Sequence, residues 1–325
     1  MTIKIGKELL YLSRETVLSL GLSPADVTDA VEASFRAKAE GRGFTKPKIL
    51  ISRPDGKMFM AKAGATVDPS YAAVKWLGFF PGNIDKGMPD YIPLILLNDG
   101  VTGYPIALMD GTWITERRTG SMSALAARYM ARPQSKRAGF IAAGSQARGN
   151  FDALMPIFKL SEVVCYSRTL KSAEAFAAHA AAQGVKARAT TNPREAVEGM
   201  DIVVSTVPHK SVGNLEIDGN WLAPGAYVAM VDLGYTFKRG TLSVIERFVT
   251  DDVEQSGPNG TERMVTQGPF AGELADLVSD KIKGRERAQE RNAFIFSGVG
   301  LADTLPAALV YERAVAAGKG TVLPL

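Results

Sequence analysis

The feature that most constrains the fold is a regular alternation of strand-like and helix-like segments between residues 138 and 250. Apolar runs such as Ile202-Val203-Val204 lack polar alternation, which is typical of strands buried on both faces. Helix-like segments lie between these runs, as in the alanine-rich stretch Ser172–Gln183. Strands that alternate with helices predict a parallel sheet covered on both sides. We therefore expect a doubly wound α/β sheet in this region.

About the first 110 residues have a different pattern, with one helix followed by strands in hairpin order. Ser23-Pro24 predicts a helix start, because serine caps a helix and proline suits its first turn. Pro54-Asp55-Gly56 separates two apolar runs and predicts a hairpin between Lys48–Ser52 and Lys57–Ala61. This part is therefore expected to form an α+β unit. Further strands are predicted at Ala72–Leu77, Tyr91–Leu97 and Ile106–Met109.

Composition excludes several classes of protein. The 325 residues include one cysteine, Cys165, and two histidines, so an intrachain disulfide is impossible and a metal site is poorly supplied with ligands. The net charge of +4 gives no reason to expect nucleic acid or membrane as a partner, although it favours an anionic substrate or cofactor. A signal-peptide core and an apolar run of the ~20 residues that span a bilayer are both missing. A cytoplasmic protein without metal is expected.

A glycine-containing loop joins the first strand and first helix of the alternating region. The run 140–147 (FIAAGSQA) places Ala142, Gly144 and Ala147 at the three positions of the dinucleotide-binding fingerprint. Glycine occupies only the middle position, where the backbone comes nearest the pyrophosphate. The helix that follows presents its N-terminal amide groups to an anion. An ordinary strand-to-helix turn is the alternative, and the position at the head of a strand–helix series favours a cofactor.

The end of the second strand indicates which cofactor binds. An acidic residue there would bind the ribose 2′-hydroxyl of NAD, but this chain has Ser167, Arg168 and Thr169, which suit a 2′-phosphate. We therefore expect NADP(H) in preference to NAD(H), with a solvated arginine as the alternative. Thr206 ends another strand at the same edge and is a further candidate for cofactor contact. His209 follows it, either in contact with ligand or as a solvated loop residue.

Five segments resemble one known family in their order and spacing. They are Trp113–Ala131, Ala143–Ala147, the pair Val74–Trp76 and Pro81–Asn83, and Phe296–Ala302. Together they are similar to the ornithine cyclodeaminase/mu-crystallin family along essentially the whole chain. The resemblance implies a substrate-binding and dimerisation domain from residues 1–117 and 300–325, and a Rossmann dinucleotide-binding domain from 118–299. It also implies a homodimer, in which a nicotinamide cofactor interconverts a small α-amino acid and its imine.

The resemblance further implies roles for single residues. Arg118 corresponds to the family's substrate-carboxylate arginine, and Lys75 corresponds to its active-site lysine. Lys48 stands where cyclodeaminases have a second carboxylate-binding arginine, and Asp90 stands where threonine is common, so both are candidates for substrate binding. Cofactor contacts are expected at Thr119, Ala143, Gly144, Ser145, Gln146, Ala147, Ser167, Arg168, Thr169, Thr206, Val207, Ser297 and Gly298.

Elementary chemistry supports the choice of these side chains. The fork of Arg118 matches a carboxylate, and we expect it near a helix start, with a surface arginine as the alternative. Lys75 lies in an apolar segment, where an inward placement would lower its pKa toward acid–base use; an outward lysine is the alternative. Asp232 follows a buried strand at the ligand-binding edge, and it is either catalytic or a turn residue.

Three functions follow, of which an NAD(P)H-dependent imine reductase or amino-acid dehydrogenase is favoured. Arg118 and Lys48 would hold the carboxylate, and Lys75 would protonate near the imine nitrogen, with Asp232 or Asp90 as proton partner. Ornithine cyclodeaminase is the first alternative. It requires an additional acid–base group, yet the position aligned with the family's aspartate is Gly234, two residues after Asp232. A non-catalytic small-molecule binder of the mu-crystallin type is the second alternative.

Overall fold

The computed structural model describes residues 1–208, 215–258 and 264–325. The chain divides into two compact units. The first, named the terminal unit, comprises Met1–Arg118 and Gly298–Leu325, and the second, named the central unit, comprises Thr119–Ser297. His209 lies outside the described residues, whereas every residue of the terminal unit is described. Within the described ranges, none of the helices has the length and apolar character that a bilayer span requires.

The terminal unit is built on one sheet whose strands come from both ends of the chain. The strands are β1 (Glu8–Leu12), β2 (Gly43–Thr45), β3 (Ile49–Ser52), β4 (Met58–Val67), β5 (Ser70–Phe79), β6 (Tyr91–Asp99), β7 (Pro105–Asp110) and β16 (Thr321–Pro324). Their order is β16-β1-β7-β6-β5-β4-β2, and β3 pairs with β4. Only β1 and β7 run parallel within this fully described unit. The helices are α1 (Arg14–Leu18), α2 (Pro24–Ala39), α8 (Leu301–Ala317) and the first part of α3 (Thr112–Met130).

Local sequence signals explain the start of α2 and the β3–β4 hairpin. The Ser23 hydroxyl accepts the Asp26 N–H, and the Asp26 carboxylate accepts the Ser23 N–H, so a capping box fixes the first turn. At the hairpin tip, Gly56 has a φ of 74°, which glycine adopts without steric cost. Both predicted elements are confirmed.

Two glycines allow α8 to pack directly on β4. A Cβ added to Gly64 would lie 2.5 Å from the Leu301 Cα, and one added to Gly300 would lie 2.3 Å from the Ala63 carbonyl carbon. Neither glycine can therefore carry a side chain without moving the helix away from the sheet. This close approach sets the position of Asp303 in the first turn of α8.

The central unit contains the predicted parallel sheet. Its strands are β8 (Arg137–Ile141), β9 (Glu162–Tyr166), β10 (Lys186–Thr190), β11 (Ile202–Ser205), β12 (Tyr227–Met230), β13 (Arg247–Thr250), β14 (Gly272–Glu273) and β15 (Asn292–Ile295). All pairs are parallel, in the order β10-β9-β8-β11-β12-β15-β13-β14. The helices include α4 (Ser145–Leu154), α5 (Leu170–Ala181), α6 (Val253–Ser256) and α7 (Leu274–Val278). The strand order reverses at β8, so a ligand crevice is expected beyond the carboxyl ends of β8 and β11.

One expectation about α3 is wrong. Arg118 was expected near a helix start, but α3 begins at Thr112, so Arg118 lies in the second turn. The reason is a local cap, because the Asp110 carboxylate accepts both the N–H and the hydroxyl of Thr112 at 3.0 and 3.1 Å. The helix therefore begins well before the apolar stripe that predicted it.

Candidate active site

Three lysines lie side by side on the buried face of the terminal unit's sheet. Lys62 of β4 and Lys75 of β5 are direct partners in the antiparallel register, so their side chains point to the same face. Lys48 immediately precedes β3, and continuing the Ile49–Ala61 pairing by one residue places it beside Lys62. The exposed fractions are 6% for Lys48, 6% for Lys62 and 1% for Lys75. We call these three residues the lysine row.

Asp303 joins Lys75 to Arg118 through a single carboxylate oxygen. Its Oδ1 lies 2.7 Å from the Lys75 Nζ and 3.0 Å from the Arg118 Nε. Its Oδ2 is buried and has no hydrogen-bond partner among the described residues. One carboxylate therefore orients the two side chains that were predicted from the sequence to transfer a proton and to bind the substrate carboxylate.

Gly298 lies where two of the cationic groups converge. A Cβ on this residue would be 2.6 Å from the Arg118 Nη1 and 3.0 Å from the Lys62 Nζ. Its φ of 80° also favours glycine. Gly298 was predicted to contact cofactor, and the structure places it against the guanidinium of Arg118 and the ammonium of Lys62. Lys48, Lys75 and Arg118 are thus brought together with a fourth cation, Lys62.

Burial and mutual repulsion determine the protonation of this cluster. Burial lowers the pKa of Lys75 to about 7, with Arg118 adding to the shift and Asp303 opposing it. Burial also lowers the pKa of Lys62 well below its usual value, followed by the charges of Lys48, Arg118 and Lys75. For Asp303, burial acts to raise the pKa, but Arg118 and Lys75 outweigh it and hold that pKa below the usual value. Lys75 can therefore exchange a proton near neutral pH.

The loop after β8 is open to a ligand in the central unit. A Cβ on Gly144 would meet nothing within 4 Å, and this residue caps α4 without a side-chain hydrogen bond. The backbone amides of Ser145, Gln146 and Ala147 begin the helix and are suited to an anion. The Oε1 of Gln146 is buried without a hydrogen-bond partner among the described residues. These features fit a pyrophosphate at the loop.

The first fingerprint position has an unusual backbone. Ala142 adopts a φ of 94°, a conformation that is costly for any residue with a side chain. It lies in the turn that leads from β8 through Ala143 to Gly144. An alanine here adopts the backbone shape that glycine provides elsewhere, so the missing glycine does not prevent the tight turn.

The remaining predicted cofactor residues lie at the ends of elements in the central unit. Ser167 follows β9 and donates its N–H to the Thr190 carbonyl at 3.2 Å, while Arg168 and Thr169 are exposed. Thr206 follows β11 and donates its hydroxyl to the Ile141 carbonyl at 3.4 Å. The last three are Val207 after β11, Ser297 after β15 and the buried Thr119 in α3.

Asp232 is held in a buried turn after β12. Its Oδ1 accepts the Ser205 hydroxyl at 2.8 Å and the Gly234 N–H at 3.0 Å, and its Oδ2 accepts the Thr236 hydroxyl at 2.8 Å. Burial raises the pKa of Asp232, while the hydrogen bonds from Thr236 and Ser205 oppose that rise. Leu233 and Gly234 both have positive φ. The three donors favour the alternative of a turn residue over a catalytic acid.

Asp90 does not join the lysine row. It immediately precedes β6, and its carboxylate accepts the Ile84 N–H at 3.1 Å. Lys75 pairs with Ile95 in this register, whereas the end of β5 pairs with Tyr91. Asp90 is therefore displaced by five residues along the strand, about 17 Å from the level of Lys75.

Sequence reasoning missed Lys62 and Asp303. Lys62 was detectable, because extending the predicted hairpin by one pair would have set it opposite Lys48, another candidate site residue, on the same face. Asp303 had a weaker signal, namely an acidic residue shortly after Gly298-Val-Gly300. The described residues contain no group of three or more histidine, cysteine or acidic side chains placed to hold a metal ion.

The parallel sheet with its glycine loop places the chain in the class of two-unit proteins that carry a Rossmann-type fold. The family model described as "Ornithine cyclodeaminase/mu-crystallin family" matches residues 8–318. The chain belongs to this family.

Individual relatives agree over nearly the whole chain. An alanine dehydrogenase of Archaeoglobus fulgidus is 30% identical, with 97% of this chain and 98% of the relative covered. The structure of the Thermococcus litoralis Delta(1)-pyrroline-2-carboxylate reductase in complex with NADH and L-proline superposes with a TM-score of 0.86 at 29% identity, covering 96% of this chain and 99% of the other. An archaeal alanine dehydrogenase dimer with bound NAD also gives a TM-score of 0.86, at 28% identity, covering 97% of this chain and 99% of the other.

Proposed function

We propose that this chain is an NAD(P)H-dependent oxidoreductase that interconverts an α-imino acid and the corresponding α-amino acid. Relatives that match most of its length include alanine dehydrogenases and pyrroline-2-carboxylate reductases. The observation that carries the proposal is the buried contact of Lys75 with Asp303 beside Arg118. It sets a proton donor and a carboxylate-binding group next to each other in a buried position.

Each side chain of the buried cluster has a role in the proposed reaction that follows from its chemistry. Arg118 binds the α-carboxylate, because its guanidinium suits a two-oxygen anion. Lys75, with a pKa of about 7, donates a proton at the substrate nitrogen during reduction and accepts it during oxidation. Asp303 fixes the direction of both side chains. When bound, the nicotinamide supplies the hydride that is exchanged with the Cα, and the open backbone around Gly144 holds its pyrophosphate.

The test is a turnover assay with purified protein. NADPH and NADH are mixed in turn with cyclic and linear α-imino acids, the linear ones formed from 2-oxo acids and ammonia, and absorbance at the reduced-nicotinamide band is followed. The proposal predicts loss of absorbance with at least one imine. No oxidation across the panel would refute it. Formation of proline and ammonia from ornithine without net cofactor change would identify a cyclodeaminase instead.

We further propose that the cofactor is NADP(H). The loop after β9 carries Ser167, the exposed Arg168 and Thr169, with no acidic residue among them. The structures described above hold NADH and NAD, so the preference is a property proposed for this chain's own loop. An exposed guanidinium at the end of β9 suits a 2′-phosphate.

We expect Arg168→Ala to raise the KM for NADPH by roughly tenfold to a hundredfold, because a charge-assisted hydrogen bond contributes about 1.5–3 kcal/mol. The KM for NADH should stay within about twofold, since NADH lacks the 2′-phosphate. Lys186→Ala, an exposed change in neighbouring β10, is the control. The proposed preference for NADP(H) is wrong if the unaltered enzyme has a higher kcat/KM with NADH than with NADPH. It is also wrong if Arg168→Ala raises the KM for both cofactors equally.

We also propose that the chain forms a homodimer through the outer face of the terminal unit's sheet. This face is apolar although it is exposed in the single chain. Ile49, Ala61, Trp76 and Leu94 are consecutive partners across β3, β4, β5 and β6, and Ile49, Trp76 and Leu94 are 63%, 45% and 40% exposed. A contiguous apolar sheet face of this kind is typical of a protein–protein interface.

Leu94→Glu should convert the dimer to a monomer, because a carboxylate at the centre of an apolar interface is desolvated without a partner. The mass in solution, measured by light scattering, should fall by half at micromolar concentration. Val101 lies in a turn and is 82% exposed, so Val101→Glu should leave the mass unchanged. A wild-type protein that is monomeric at these concentrations would remove the proposal.

A further inference from the structure

The buried cluster of the terminal unit has more positive than negative charge. Lys48, Lys62, Lys75 and Arg118 are each 6% exposed or less, and the buried carboxylate of this fully described unit is Asp303. Like charges directly opposite each other on one sheet face are destabilising, and a negative charge placed among them offsets their repulsion. This excess of positive charge therefore favours the binding of an anion at the cluster.

The positions of the cations indicate more than one anionic group. Asp303 is shared by Lys75 and Arg118, and an α-carboxylate on Arg118 adds one further negative charge. The lysine row continues from Lys75 to Lys62 and Lys48, with ~4.8 Å between neighbouring strands. This spacing is comparable to the separation of the two carboxylates in a four- or five-carbon diacid.

Two further features favour an anion near Lys62. Its Nζ and the Nη1 of Arg118 both lie close to Gly298, since a Cβ on that residue would be 3.0 and 2.6 Å from them, so two positively charged groups lie near each other. The 17-residue helix α8 begins three residues later, at Leu301. Its positive dipole end adds to the field of the cations.

We infer that the substrate has an acidic side chain and that Lys62 binds its second carboxylate, which makes the substrate class the α-imino and α-amino dicarboxylic acids of four or five carbons. The inference rests on the proposed function, because it takes the α-carboxylate to be bound by Arg118. It goes further by assigning a specificity-determining role to a residue that is not needed for hydride transfer itself.

Binding of such a diacid should be coupled to proton uptake. The groups that face Lys62 are Lys48 before β3, Lys75 on β5, Arg118 on α3 and Asp303 on α8, and burial with the three cations holds the pKa of Lys62 well below its usual value. A second carboxylate beside this amine raises its pKa again. The diacid should therefore bind with uptake of more protons than the matched monoacid, and its affinity should fall as the pH rises.

The experiment compares 2-oxoglutarate with 2-oxopentanoate, which differ only by a carboxylate in place of the terminal methyl group. Calorimetric titration of the full-length protein with NADP⁺, in buffers of different ionisation enthalpy, measures both Kd and proton uptake. We expect the diacid to bind about tenfold to a hundredfold more tightly, from the strength of a charge-assisted hydrogen bond. Lys62→Met should abolish this preference, Lys62→Arg should retain it, and Lys57→Met at the exposed hairpin tip should not affect it.

The possible outcomes are distinct. Equal affinity for the two acids in the wild-type protein overturns the inference without any variant, so it stays testable even if Lys62→Met fails to fold. If a folded Lys62→Met or Lys62→Gln protein loses affinity for both acids equally, Lys62 binds the α-carboxylate instead. This result also overturns the inference. Since neither acid turns over in this measurement, a failed hydride-transfer assay would refute the proposed function alone.

Discussion

Lys75→Met should lower kcat/KM for imine reduction by about 10²- to 10⁴-fold, the usual contribution of a positioned proton donor. Methionine preserves the length and burial of the side chain but has no proton to give. The pH dependence provides a second readout. With a pKa of about 7, Lys75 is protonated below that pH, so reduction should be fastest there and should decline as the pH rises through 7. Amino-acid oxidation needs the neutral amine and should change in the opposite sense.

The variant should lose this inflection as well as the rate. Lys57→Met is the matched control, because Lys57 is a partly exposed lysine that pairs with Asp55 at the hairpin tip, and its rate should be unchanged. Thermal unfolding of both variants shows whether each is folded. If folded Lys75→Met retains its rate within about twofold and keeps the same pH profile, Lys75 is not the proton donor.

Asp303→Asn should strongly destabilise the terminal unit. It removes the negative charge that lies 2.7 Å from the Lys75 Nζ and 3.0 Å from the Arg118 Nε. The buried positive charges then repel one another without a carboxylate between them. Removal of one partner from a buried ion pair costs about 3–5 kcal/mol. We expect the free energy of unfolding, measured by urea titration, to fall by this amount. Asp303 also raises the pKa of Lys75, so the inflection in the rate of reduction should move to lower pH.

Asp29→Asn, on the exposed side of α2, is the control for the loss of an acidic side chain. It should change the free energy of unfolding by less than about 0.5 kcal/mol. The prediction is contradicted if Asp303→Asn is as stable as this control and keeps the wild-type pH inflection. The carboxylate of Asp303 would then not be needed to stabilise the buried cluster.

The parts of the fold that local signals determine could be predicted. The helix start at Ser23-Pro24 and the alternating pattern of the central unit depend on short stretches of chain, and both predictions are confirmed. The strands β1 and β16 were missed, because their partners are far apart in the sequence, as in the pairing of Glu8 with Pro324. Periodicity within a window contains no information about such a partner.

The same distinction applies to the candidate site. Lys75 and Arg118 were found through the family resemblance and lie in one buried cluster, although their catalytic roles stay predictions. Asp303 was missed because its contact with Lys75 spans 228 positions of sequence. Asp232 was considered for catalysis from its place at a strand end, but its hydrogen bonds to Ser205 and Thr236 are visible only in three dimensions.

The β4–β5 hairpin has a consequence for how this family member tolerates insertions. Successive residues of a strand alternate between faces, so the row of Ala61 and Trp76 and the row of Lys62 and Lys75 are one step apart on opposite sides. Adding or deleting a single residue within either strand would place an ammonium on the apolar outer face of the sheet and bury an indole beneath α8. Length variation here is therefore confined to the turns, whereas the two strands can accept substitutions but not frame changes.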